Sequence, residues 1–154
     1  MGIEDDIAFI ERVPTLRMLG REALRILAIG AESRSVRKGE VLFLAGETAD
    51  CGYVIQEGSF RLVSNSKPIG EVIAGPGTLL GELALIVETK RPATATAHEH
   101  SAVIRISRSL FLKMLEGYPD AARRMRDAIA SKVSQTAAEL SRVRDGLVRG
   151  PMRR

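Results

Sequence analysis

Tryptophan is absent from this chain, and cysteine occurs once, at position 51. A single cysteine excludes an intrachain disulfide, so the fold is expected to stand on its core alone, in a reducing, cytoplasmic setting. Cys51 is expected as a small, partly buried residue, not a redox centre. No apolar run approaches the roughly 20 residues that span a bilayer. The acidic opening Met1-Gly2-Ile3-Glu4-Asp5-Asp6 has no apolar signal core, so no signal peptide is expected. The two histidines, His98 and His100, sit in a polar Ala-His-Glu-His stretch and are expected as exposed strand residues. They fall short of the three or four converging ligands that a metal needs. No nucleophile–base set and no Walker-type Gly-Lys-Ser/Thr loop occurs, so catalysis is not expected.

What is present fits one ordinary domain. The 154 residues are 45% hydrophobic and 27% charged, enough to bury a proper core. The net charge of +4 is unevenly spread: residues 123–154 carry +6 and the preceding residues −2. A basic end of this kind meets acidic partners or is a solvated helix face.

Three zones follow along the chain. In residues 1–32, Ile7, Ile10, Val13, Leu16, Leu19, Leu24, Leu27 and Ala28 recur at helical spacing, with breaks at Pro14 and Gly20. Two or three short helices are expected. Residues 33–107 alternate short Val/Ile/Leu/Phe runs with glycines. Strands are expected at Ser33–Val36, Val41–Leu44, Gly52–Gln56, Ser59–Ser64, Ile69–Ala74, Thr94–His98 and Ala102–Ile106. Such a series predicts an antiparallel β-roll or jelly-roll barrel, with hairpin tips at Glu57-Gly58 and Asn65-Ser66. Residues 108–148 read as helix again, capped by Ser107 or Ser109 and restarted at Pro119, with a basic tail at 149–154. The whole is α+β, mostly β with flanking helices.

Residues 81–94 carry the chemistry. Gly81-Glu82 opens an apolar turn, Leu83-Ala84-Leu85, and Arg91 follows nine residues after Glu82. A carboxylate accepts from sugar hydroxyls and a guanidinium grips phosphate oxygens with two prongs. A small ligand carrying both groups suits this pair; the alternative is a surface ion pair of little worth. A helical turn at 83–85 would point backbone N–H groups at the phosphate.

This segment resembles the phosphate-binding cassette of cyclic nucleotide-binding domains, matching without a gap at Gly81, Glu82, Leu83, Ala84, Leu85, Arg91, Ala93 and Thr94. An upstream series resembles the front half of the same domain: Arg37-Lys38-Gly39-Glu40, Leu42-Phe43, Gly46-Glu47, Ala49-Asp50, Tyr53-Val54-Ile55 and Glu57-Gly58. Catabolite-activator-type regulators and the kinase A regulatory subunit carry that domain. The resemblance covers about residues 8–148. It implies ligand contacts at Leu80, Gly81, Glu82, Leu83, Ala84, Arg91, Pro92 and Ala93, with Glu82 on the ribose 2′-hydroxyl and Arg91 on the cyclic phosphate. Pro92 departs from the pattern. The family's residue there usually donates its N–H to the phosphate, and proline has none. Losing that bond costs on the order of 1–3 kcal/mol. Nor does proline supply the hydroxyl that cyclic GMP-preferring relatives use, so cyclic AMP is expected over cyclic GMP.

Residues 129, 133, 136, 140, 143 and 147 follow a heptad rhythm, Ile, Val, Thr, Leu, Val, Leu. The resemblance implies a homodimer through this seam, although the stripe also suits packing on the barrel or a larger bundle. It also places Thr136 where relatives read adenine; a bond to its own helix backbone is the equal alternative. No helix-turn-helix fits after this segment, so sequence-specific DNA binding is not expected. The expected role is a cyclic nucleotide receptor signalling through its C-terminal helix to an unknown downstream protein. The alternatives are a nucleotide-independent interaction module and a sensor fragment of a larger channel or transcription factor.

Overall fold

The computed structural model describes residues 2–64 and 71–128. Helix α1 (Ile3–Glu11) buries Ile7 and Ile10 and begins with Glu4, Asp5 and Asp6. Carboxylates in a first turn favour the helix by complementing its N-terminal dipole. Pro14 opens the four-residue α2 (Pro14–Arg17) at a position where its missing N–H costs nothing. Gly20, at φ +90°, breaks the chain again, and α3 (Arg21–Gly30) buries Ala23, Leu24, Leu27 and Ala28. The expected breaks at Pro14 and Gly20 are thus where the helices part.

Ten strands follow: β1 (Glu32–Val36), β2 (Val41–Phe43), β3 (Thr48–Ala49), β4 (Cys51–Glu57), β5 (Phe60–Val63), β6 (Glu71–Ala74), β7 (Leu79–Leu80), β8 (Thr89–Lys90), β9 (Thr94–Ala97) and β10 (Ser101–Ser107). They form two four-stranded sheets, β1-β10-β4-β7 and β2-β9-β5-β6, and a small β3-β8 ladder. The pairings are antiparallel. This is the expected β-roll with flanking helices.

β4 explains how the layers stack. Six of its seven residues are buried. Side chains alternate across a strand, so a continuous apolar run means both faces are covered. Cys51, Tyr53 and Ile55 face a core inside the roll with Phe43, Phe60 and Val103. Val54 faces the other way, into a second core with Ile104, Ile106 and the helices. After β10, Ser107 accepts from the Leu110 N–H at 3.1 Å and caps α4 (Arg108–Gly117), as expected of it. Leu110 lies over Gly30, where a Cβ would sit 2.7 Å from its Cδ1. Residues 119–128 are helical, starting at Pro119.

Three expectations change. Glu57-Gly58 is not a hairpin tip, because β4 and β5 belong to different sheets. Gly58, at φ +83°, instead turns a corner packed against Ser101. His98 and His100 lie in an exposed bend between β9 and β10, not in a strand. The two-residue strands β3, β7 and β8 were not foreseen, being too short for any alternation to register. β5 and β6 do pair, from Phe60↔Ala74 to Val63↔Glu71. The Asn65-Ser66 tip, Thr136, the seam from 129 to 147 and the basic tail lie outside the described residues. Among those described, no helix is long and apolar enough to cross a membrane.

Candidate functional site

A cavity of about 410 Å³ opens on one side of the roll. Leu80, Gly81, Glu82, Leu83, Ala84, Arg91, Pro92 and Ala93 all line it. Phe43, Ala49, Leu62, Leu79, Thr89 and Lys90 complete the wall. The structure therefore brings together every sequence-derived candidate except Thr136, which lies outside the described residues.

Backbone bonds hold both ends of the segment. β7 pairs with β4 through Tyr53↔Leu80 and Val54↔Leu79. Gly81 then turns at φ +86°, a conformation that glycine adopts without steric cost. Leu83–Leu85 forms a short 3-10 turn, with Ala84 and Leu85 fully buried and Leu83 exposed at the rim. The Ala84 and Leu85 N–H groups donate to the carbonyls of Gly81 and Glu82, at 3.1 and 3.2 Å. Those two donors are thus used within the turn, where free N–H groups facing a phosphate were expected. At the far end, β8 pairs with β3 through Thr48↔Lys90. The Arg91 N–H donates to the Glu47 carbonyl, and its own carbonyl accepts from Gly46, both at 2.8 Å. Thr94 Oγ1 accepts from the Ala45 N–H at 2.9 Å, which gives that side chain a structural task.

Arg91 is the unusual residue. It is only 6% exposed, yet makes no ion pair among the described residues. The surface ion pair with Glu82 is therefore not what forms. Its guanidinium carbon lies 4.3 Å from the centre of the Phe43 ring and 5.6 Å from that of Tyr53. The two rings stack 6.0 Å apart. Nη2 donates to Cys51 Sγ at 3.3 Å, and Nη1 is buried without a hydrogen-bond acceptor among the described residues. Aromatic faces attract a cation, by about 2 kcal/mol where water is excluded. They do not replace a counter-ion, and a buried charge costs several kcal/mol when unpaired. An anion at this point would supply the missing counter-charge.

Phe43, Cys51 and Tyr53 were not foreseen as the bed of this guanidinium. The signal was available for two of them: Cys51 and Tyr53 stand two apart on one strand and so share a face.

Burial raises the Tyr53 phenol above its ordinary range, helped by the neighbouring Cys51 thiol, while Arg105 and Arg34 oppose the rise. A raised folded-state value means that the native protein holds the proton more tightly. That stability is fully present below the unfolded value of about 10 and is lost as pH rises through the folded one. The urea midpoint is accordingly expected to fall above about pH 10, and Tyr53→Phe to flatten that fall; parallel pH profiles would contradict this assignment.

Gly81→Ala tests the turn. A Cβ at Gly81 would overlap Arg91 Nη1 and sit 3.1 Å from the Cys51 carbonyl oxygen. A loss of about 2–4 kcal/mol is expected in urea unfolding, from the left-handed backbone and the overpacking together.

The sequence matches the family described as "Cyclic nucleotide-binding domain" over residues 33–118. A cyclic nucleotide-binding-like protein from Brucella abortus, known as a structure, is 43% identical, with 73% of this chain and 98% of that chain covered and a TM-score of 0.65. The catabolite activator protein of Thermus thermophilus shares the fold, at 24% identity and TM-score 0.69, over 84% of this chain and 62% of that one. An uncharacterized NTE family protein of Mycobacterium tuberculosis is 34% identical over 129 residues, which is 82% of this chain. The chain spans 22% of that relative's length.

Proposed function

This chain belongs to the cyclic nucleotide-binding domain family, and from that membership we propose that it is a cyclic nucleotide receptor with a preference for cyclic AMP. The buried guanidinium of Arg91, without a counter-ion among the described residues, is the observation that carries the reading. A cyclic phosphate has one negative charge, which would complete the site, and Nη1 is the donor left to meet it. Glu82, on the same cavity wall, would accept from the ribose 2′-hydroxyl. Leu62, Leu79 and Leu83 give the base an apolar wall.

The preference for adenine rests on Pro92, which has no hydroxyl to offer guanine. Signalling would pass from the occupied cassette to the C-terminal helix, and through it to a second copy or a downstream protein. That is a population shift driven by ligand contacts that differ between two states. The role is one of binding and regulation, with no bond made or broken.

The length of the mycobacterial relative favours a second reading, in which the same site regulates a longer polypeptide. The ligand chemistry is common to both.

A melting scan with and without nucleotide tests the proposal, because a ligand that binds the native state raises the midpoint. Millimolar cyclic AMP is expected to raise it by more than cyclic GMP does. A midpoint that moves with neither would leave the roll as a nucleotide-independent interaction module.

A further inference from the structure

We propose that Cys51 is the positioning residue of this anion site: its sulfur holds one prong of Arg91, so that the other prong faces the ligand. The proposal rests on the cyclic nucleotide reading of the same cavity and adds a residue outside it, since Cys51 is not among the cavity's lining residues.

A guanidinium is flat, with its donors spread around its edge. Ring faces such as those of Phe43 and Tyr53 attract the plane but leave its rotation within that plane free. An acceptor at the edge removes that freedom. Among the described residues the side-chain acceptor at the Arg91 edge is Cys51 Sγ, 3.3 Å from Nη2. With Nη2 held, Nη1 is the buried donor without an acceptor, and it lies over Gly81. Gly81 leads into the cavity wall that carries Glu82. One bond to sulfur thereby sets which prong meets the phosphate.

The choice of sulfur also has a physical reason. A thiol is a weak acceptor, so it orients the guanidinium without neutralising it. A carboxylate at position 51 would satisfy the charge and compete with the ligand. With a merely structural Cys51, 2% exposed in the inner core, replacement by apolar valine would leave the affinity for the ligand unchanged in the folded protein, whatever it did to stability.

The test compares Cys51→Val, which keeps the apolar volume and removes the acceptor, with Cys51→Ser, which keeps an acceptor. Each is titrated with cyclic AMP. The side-chain guanidinium signals are also recorded by nitrogen NMR on nucleotide-free protein, with Arg91→Lys identifying the Arg91 resonance. The expected result is an affinity lower by about fivefold or more in C51V and within about twofold of the parent in C51S. The Arg91 Nη protons should exchange faster in C51V alone. Equal affinity and an unchanged Arg91 signal in C51V would overturn the proposal. If the parent protein binds neither cyclic AMP nor cyclic GMP, the functional reading falls, while the nucleotide-free spectrum still decides the role of Cys51. Should C51V fail to fold, Cys51→Ala is read by the same two outcomes.

Discussion

Replacing Arg91 by glutamine is expected to weaken cyclic AMP binding at least about tenfold and to leave the nucleotide-free protein about as stable as before. The two halves of this result have one cause. Arg91 is 6% exposed and has no ion pair among the described residues. Its charge is desolvated without a counter-ion among the described residues, at a cost of several kcal/mol. The faces of Phe43 and Tyr53 and the sulfur of Cys51 offset part of that cost. Glutamine removes both the cost and the offset, so the net change in unfolding free energy should stay within about 1 kcal/mol. With ligand present the balance is one-sided, because a charge-assisted bond worth about 1.5–3 kcal/mol disappears. An arginine that served only the fold would behave in the opposite way, with stability falling and affinity keeping pace with the folded fraction. Chemical unfolding and titration on the same variant separate the two.

Gly58→Ala should be the most damaging single methyl group in the roll. Gly58 sits at φ +83°, and a Cβ there would overlap Ser101 Oγ and lie 2.8 Å from the Ser101 Cα. Ser101 cannot withdraw. It is fully buried, accepts from the Ser59 N–H at 3.1 Å and donates to the Glu99 carbonyl at 2.9 Å. Ser59 Oγ in turn donates to the Glu99 carboxylate at 2.7 Å. This network fixes the corner where the chain leaves the sheet of β4 for the sheet of β5. The left-handed backbone costs about 1–2 kcal/mol and the overpacking about 1–3 kcal/mol more. At roughly 2–4 °C per kcal/mol for a domain of this size, the melting midpoint should fall by about 10 °C. Gly39→Ala is the control: Gly39 is also left-handed, at φ +86°, but a Cβ there meets nothing within 4 Å. It should lose only the backbone share. Equal losses at the two positions would show that the Ser101 packing does not matter.

Most of the architecture was legible because strong local signals agree with it. Pro14 and Gly20 part the N-terminal helices, Ser107 caps α4, and the glycine-punctuated apolar runs become strands of an antiparallel roll. What escaped was of two kinds. β3, β7 and β8 are two residues long, and a period-two pattern needs more than one period to be seen. Glu57-Gly58 has the composition of a hairpin tip, but composition does not tell whether flanking strands pair with each other. Here β4 pairs with β10 and β7, while β5 pairs with β6 and β9.

The site divides in the same way. Most of its wall comes from one contiguous segment, residues 79–93, which was legible through its resemblance to the phosphate-binding cassette. Its floor comes from Phe43, Cys51 and Tyr53, which are 48, 40 and 38 positions from Arg91 in the chain and meet it only through the sheet. The burial of Arg91 could not be read at all, since arginine is ordinarily exposed. That burial leaves a charge that a bound anion would satisfy.

The most direct measurement is a calorimetric titration of the parent chain with cyclic AMP and, separately, cyclic GMP. Saturable one-to-one binding of cyclic AMP below millimolar, tighter than that of cyclic GMP and lost in Arg91→Gln, is the predicted result. No heat of binding from either nucleotide up to millimolar, in protein shown to be folded, would contradict it.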